Sequence, residues 1–357
     1  MDIAASSQAF NTPPDRREEL AGTGADFNES IRSADTQFLG EFGNYFDRID
    51  EELERSLGSR VPLIQNIGRY SILGKGKRLR PLLFVLSSQL CGYQGEDIYR
   101  LSTVFEYIHA SSLIHDDVLD HAEMRRKKPS ANRVWGNLAA VLSGDFFFSK
   151  ALFIAIGSHN LQFLDALTNT TVRMAEAEIL ELSHTNDWKM DRDAYMEVLI
   201  GKTAVLISAA CACGAIISGV EDTAVDYLRE FGLNAGIAFQ LIDDLLDYTS
   251  CEEELGKPVG NDLKEGKITL PLIYTLSHLG KVERERLEGL FKHHRGEDDE
   301  DYFRLIELVR ENGIIERIQA EAKTYVDRAA RCLDMFPSSS SKEMLLKLNR
   351  YIIERKF

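Results

Sequence analysis

With 357 residues, 44% of them apolar, the chain is long enough for one large domain with a sizeable core. A formal charge of −15 excludes broad binding to nucleic acid or anionic membranes, both of which need basic surface. The five cysteines (Cys91, Cys211, Cys213, Cys251, Cys332) form no CxxC pair and no zinc spacing, and read as reduced, buried thiols of a cytosol-like compartment.

Residues 1–33 mix Ala, Ser, Gly, Pro and charges without periodicity and read as a disordered tail, leaving 34–357 as a single domain. Asp2, Asp15, Glu18 and Glu19 are wrong for a transit peptide, and no apolar signal core follows Met1. The expected location is cytoplasmic, with an organelle such as a mitochondrion or glycosome left open.

Helical spacing of apolar residues then recurs at about 36–57, 61–72, 79–91, 97–120, 134–156, 160–184, 192–218, 222–250, 268–279, 282–293, 301–312, 314–334 and 342–355. Breakers fall between: Gly74-Lys75-Gly76, Gly92, Pro129, Gly256-Lys257-Pro258 and Pro337-Ser338-Ser339. Strand-type alternation is scarce, so the fold class is all-α. Thr203 to Val220 holds 18 uncharged residues, short for a membrane span and broken by Gly and Ser, so it reads as a buried central helix. The acidic run from Glu297 to Asp301 reads as a solvated loop.

One short motif occurs twice: Asp116-Asp117-Val118-Leu119-Asp120 and Asp243-Asp244-Leu245-Leu246-Asp247. Residues i and i+4 share a helix face, so each copy sets two carboxylates side by side, a repulsive arrangement unless a cation lies between them. Both copies follow apolar runs, Ile108–Ile114 and Ala235–Ile242, which places acid at the ends of buried helices. Mg²⁺ takes oxygen ligands and binds through one or two carboxylates plus substrate phosphates, so facing clusters of this kind suit a diphosphate. Cations stand beside the motifs: Lys77, Arg78 and Arg80 at a turn, Arg125 and Arg126 after the first copy, Lys257 and Lys267 after the second. His109 and Gln240, taken alone, are most simply a core histidine and a buried amide.

From about residue 65 to 275 the chain resembles the trans-isoprenyl diphosphate synthases. The matching stretches are Gly76-Lys77-Arg78-Leu79-Arg80-Pro81, His109, Leu113 to Asp120, Arg125-Arg126, Gly144-Asp145, Gly201-Lys202-Thr203, Phe239 to Asp247 and Gly266-Lys267. The resemblance implies a helical bundle of the isoprenoid synthase type around a central cavity, and condensation of isopentenyl diphosphate with an allylic diphosphate. It implies that Asp116, Asp120 and Asp243 ligate Mg²⁺, supported by Asp117, Asp244 and Asp247. Lys77, Arg80, His109 and Arg126 would form the isopentenyl diphosphate pocket. Arg125, Lys202, Lys257 and Lys267 would serve the allylic diphosphate, with Thr203 and Gln240 turning oxygens toward the developing carbocation. No side chain stands out as the base for proton loss; in the family the released diphosphate is credited with that role. Two positions depart from the family pattern: Lys75 before Gly76, and Lys127 where glycine commonly follows the paired arginines.

Counting back from Asp116 by helical turns gives Ser112, Ile108 and Phe105, with Ser111 alongside. Short-chain family members carry bulky aromatics where this chain has Ser111 and Ser112. Small residues leave room for a growing apolar tail, so the product is expected at roughly seven to ten isoprene units. This is the pattern of long-chain, solanesyl- or decaprenyl-type polyprenyl diphosphate synthases, which supply quinone side chains such as that of ubiquinone. The resemblance also implies a homodimer, with residues 134–184 as its interface. A terpene cyclase would replace the second Asp-rich motif, and a non-catalytic partner subunit would lose one of the two; both are intact here.

Overall fold

The computed structural model describes residues 38–354 apart from 39, 75, 250–259, 294–298 and 312. The tail of residues 1–33, Lys75, Cys251 and Lys257 therefore lie outside the described residues. The chain divides into two compact units, Met1–Gly43 and Asn44–Phe357. Apart from Gly43, which opens the helix Gly43–Ser56, every residue named below belongs to the second unit.

The helices are α1 (Gly43–Ser56), α2 (Pro62–Ser71), α3 (Leu79–Leu90), α4 (Ile98–Leu119), α5 (Ala131–Trp135), α6 (Asn137–Ile156), α7 (Leu161–Ser183), α8 (Arg192–Leu199), α9 (Val205–Ile217) and α10 (Asp222–Thr249). After them come α11 (Asn261–Lys264), α12 (Leu270–His278), α13 (Lys281–His293), α14 (Asp299–Glu311), α15 (Ile314–Cys332) and α16 (Ser340–Glu354). Of the acidic run expected as a loop, Asp299, Glu300 and Asp301 instead open α14, where acid is favoured by the helix dipole, and Glu297 and Asp298 lie outside the described residues. The predicted helix over 134–156 is broken at Gly136, whose φ of +84° ends α5 before α6 begins.

The centre of the bundle is α9, in which every residue from Val205 to Ile216 is buried. It packs on α3, α7 and α10, while α4 packs on α3 and α6. The span Arg192–Ile217 is long and apolar enough to cross a membrane, but its most apolar 18-residue stretch is 83% buried inside the fold, which explains its composition. Asn137–Ile156 passes the same test with 39% of its most apolar 18 residues buried, and leaves Leu138, Leu142, Phe153 and Ile156 exposed. Cys211 and Cys213 are fully buried, and burial pushes the Cys211 thiol up to about 12, so both serve packing.

Two local departures from regular helix shape the site. Residues Ile200–Ala204 between α8 and α9 form a π-helical turn, which rotates Lys202 and Thr203 out of the register of the helices around them. The turn lies close to α7, because a Cβ at Gly201 would stand 2.5 Å from that of Ala177. Between α4 and α5, β1 (Met124–Arg125) and β2 (Lys128–Pro129) form a hairpin around Arg126 and Lys127. Both turn residues have positive φ, +51° and +63°, the backbone of a type I′ turn that glycine adopts more readily.

Candidate active site

The first acidic motif ends α4, where carboxylates oppose the helix dipole and need cations. Lys267 Nζ donates to Asp120 Oδ2 at 2.9 Å and to Glu265 at 2.6 Å. Burial disfavours the Lys267 charge, but Glu265 and Asp120 outweigh it and hold its pKa above the ordinary lysine range. Asp117 is 3% exposed and receives Arg125 through Nε at 2.7 Å and a terminal nitrogen at 2.6 Å. Asp116 is half-buried; burial raises its pKa while Lys202 pulls it back down.

The second motif lies near the end of α10. Asp243 is exposed, whereas Asp244 and Asp247 are 5% and 1% exposed. Asp244 accepts from Tyr195 Oη at 2.6 Å and from Gln240 Nε2 at 2.7 Å, and burial still pushes it up to about 7. Asp247 accepts the backbone N–H of Asp262 at 3.0 Å, which fastens the segment leading to Lys267.

The π turn joins the two motifs. Thr203 Oγ1 donates to Gln240 Oε1 at 2.9 Å, continuing a chain through Gln240 and Asp244 to Tyr195. Lys202 Nζ lies 3.0 Å from Glu178 and also binds Glu181, both on α7. Burial opposes the Lys202 charge, yet Glu181, Asp116 and Glu178 together raise its pKa. One short segment thus carries a cation in the field of the first motif and a hydroxyl linked to the second through Gln240.

The remaining cations gather beside α4. Arg80 Nε is buried without a hydrogen-bond partner, and burial lowers its pKa to about 10. Asp243 acts on Arg80, a further link between the second motif and this wall. Burial lowers His109 well below 6.5, and Arg80, Arg126, Arg125 and Arg78 lower it further. Lys77 Nζ is 3.4 Å from Tyr351 Oη of α16. A cavity of about 250 Å³ opens beside this part of α4, lined by Tyr70, Ala110, Leu113, Ile114, Arg125 and Arg126 among others. A cationic wall with an uncompensated donor next to a cavity is suited to an anion.

The stripe below Asp116 divides. Ser112 is half-buried and its hydroxyl donates to the His109 carbonyl of its own helix at 2.9 Å. Ser111 instead donates to the Gly144 carbonyl of α6 at 2.8 Å and lies in the seam between two helices. That seam is tight because a Cβ at Gly144 would stand 2.3 Å from His115 Nε2. Ile108 is buried, and Phe105 packs tilted against Phe84 of α3 and edge-on to Phe163 of α7, centroids 5.3 and 6.3 Å away.

Among the described residues no three Asp, Glu, His or Cys side chains converge closely enough to hold a metal by themselves. Asp116, Asp120 and Asp243 offer oxygen donors only. Oxygen donors are the chemistry that a hard divalent cation takes together with water and phosphate oxygens.

The family model for polyprenyl synthetase matches residues 61–309. The chain belongs to the polyprenyl synthetase family. Octaprenyl diphosphate synthase of Escherichia coli (strain K12) is 34% identical over 307 residues, covering 86% of this chain and 94% of its own. The structure of polyprenyl synthase from Caulobacter crescentus CB15, complexed with calcium and isoprenyl diphosphate, superposes with a TM-score of 0.85 at 33% identity, over 90% of this chain and 98% of that one. The decaprenyl diphosphate synthase of Rhodobacter capsulatus gives 0.83 at 32% identity, over 89% and 98%. As a polyprenyl synthetase the chain is a trans-prenyltransferase with the all-α isoprenoid synthase fold.

Several residues of the polyprenyl synthetase site are not among those the sequence motifs point to. Glu178 and Glu181 clamp Lys202, Tyr195 holds Asp244, Glu265 shares Lys267, and Glu106 receives Arg78. Glu178 and Glu181 do carry a signal, because they are i, i+3 acids on a largely apolar helix.

Proposed function

We propose that the protein is a long-chain trans-polyprenyl diphosphate synthase that adds successive isopentenyl diphosphate units to an allylic diphosphate. The observation that carries this reading is the pairing of two Asp-rich helix ends through Lys267 and the π turn, with a separate cationic wall beside them. One side offers acid and lysine for an ionising diphosphate, the other arginine and a neutral imidazole for a second diphosphate that stays intact.

Asp116, Asp120 and Asp243 would hold Mg²⁺, which when bound supplies neutralisation of the departing diphosphate. Lys202 and Lys267 donate to that diphosphate, and Arg125 joins them from its place on Asp117. The allylic C–O bond breaks and its electron pair leaves with the diphosphate. The Thr203 and Gln240 oxygens, already fixed by their mutual bond, face the allylic cation as preorganised dipoles. Lys77, Arg80, His109 and Arg126 hold isopentenyl diphosphate, whose double bond supplies the pair for the new C–C bond. A proton is then lost to the released diphosphate.

The growing tail descends past Ser112 toward Ile108, and the Phe84–Phe105–Phe163 cluster closes the floor. The likeness to octaprenyl and decaprenyl diphosphate synthases supports a long product. A homodimer through α6 and α7 agrees with their exposed Leu138, Leu142, Phe153, Leu161, Ile179 and Leu182. A monomer by light scattering at working concentration rejects that assembly.

Asp116→Asn and Asp243→Asn test the catalytic reading. Each is expected to cut turnover by about 10²-fold or more while the circular dichroism stays helical. Near-normal turnover in either variant removes that motif from the mechanism.

A further inference from the structure

Arg78, Arg80, Arg126 and His109 crowd one wall of the site, and such a cluster repels itself without an anion in its midst. The fold supplies one: Glu106, on α4 just before His109 and 6% exposed. Its Oε1 accepts from a terminal nitrogen of Arg78 at 2.6 Å, and its charge also acts on Arg80 and Arg126. Even with Asp50 also on Arg78, two carboxylates against three guanidiniums leave the wall net positive, a charge that a diphosphate completes.

Arg78 is itself 3% exposed. It stands at the start of α3 with φ +48°, a backbone disfavoured for any residue that carries a side chain. It donates Nε to Asp50 of α1 at 2.7 Å and its other terminal nitrogen to the Gly74 carbonyl at 3.2 Å. One guanidinium therefore ties α1, the Gly74–Lys77 turn and α4 together. Lys77 and Arg80 flank Arg78 in the chain, so the direction in which the chain enters α3 sets where both begin.

We propose that Glu106 is a positioning residue of the isopentenyl diphosphate pocket: through Arg78 it pins the Lys77–Arg80 turn to α4, and its charge holds Arg80 and Arg126 together before substrate binds. The inference rests on the function proposed above. Asp50 also pairs with Arg78, but its side chain is 54% exposed, so solvent screens its charge and it cannot take over this role.

Wild-type condensation of the two diphosphates tests the function; kinetics of variants test this inference separately. Glu106→Gln keeps the shape and removes the charge. Its KM for isopentenyl diphosphate is expected to rise about tenfold or more, with kcat and the KM for the allylic primer within about threefold of wild type. Asp50→Asn is expected to leave both KM values in place. A parallel rise of both KM values in Glu106→Gln, or an unchanged KM for isopentenyl diphosphate, overturns the proposal. If Glu106→Gln does not fold, Glu106→Asp keeps the charge but withdraws it from Arg78, and an unchanged KM for isopentenyl diphosphate there overturns it equally.

Discussion

Lys267 Nζ stands 2.9 Å from Asp120 Oδ2, so a lysine that follows the second acidic motif in the chain neutralises the last carboxylate of the first. Asp247 reinforces the link by accepting the Asp262 N–H, which fixes the segment on which Lys267 sits. A segment anchored on the second motif thus delivers the cation that the first one needs.

Lys267→Met is therefore expected to act on both halves. Asp120 and Glu265 lose their shared cation, and the leaving diphosphate loses a donor. Turnover should fall about 10²-fold, and the KM for the allylic primer should rise more than that for isopentenyl diphosphate. Steady-state kinetics with each substrate varied in turn check this. Wild-type turnover would show that Lys267 only braces the loop.

The acidic motifs are legible because i, i+4 acid at the end of an apolar helix is visible in one dimension, and so is the burial of α9. The π turn is not: Ile200–Ala204 has no residue type that marks the extra residue in the turn. The hairpin escapes a sequence reading for a related reason. Type I′ turns announce themselves by glycine or asparagine, and here Arg126 and Lys127 hold that backbone instead. Ser111 and Ser112 look equivalent in sequence, yet a rotation of about 100° per residue sends one into the α6 seam.

His109 is expected to stay neutral throughout the working pH range. Burial first, and Arg80, Arg126, Arg125 and Arg78 after it, hold its folded pKa well below the unfolded value of 6.5. Below pH 6.5 the unfolded chain takes up a proton that the folded protein refuses, so stability falls as the pH drops; above 6.5 this contribution is flat. Denaturant unfolding at about pH 7.5 and 5.5 should show wild type losing more than His109→Gln. Equal losses would mean that His109 titrates normally.

Ser112→Phe is the cleaner probe of product length, since Ser111→Tyr would also break the bond to Gly144 and crowd α6. Ser112→Phe should shorten the product by several units and leave the first condensation intact. Phe105→Ala should lengthen it, at a cost in stability of about 3–5 kcal/mol for emptying a fully buried ring site. Chromatographic sizing checks both. Unchanged lengths would make this stripe ordinary core.

The most direct measurement is a product assay with the purified wild-type protein. It is supplied with Mg²⁺, labelled isopentenyl diphosphate and, in parallel, geranyl, farnesyl and geranylgeranyl diphosphate as primers. Burying each added methylene is worth about 0.8 kcal/mol, so the tail should extend until it meets the aromatic floor. The expected result is an all-trans product well beyond three isoprene units, formed only with divalent metal present. A product that stops at farnesyl diphosphate, or condensation that continues after complete chelation of the metal, would contradict the proposed function.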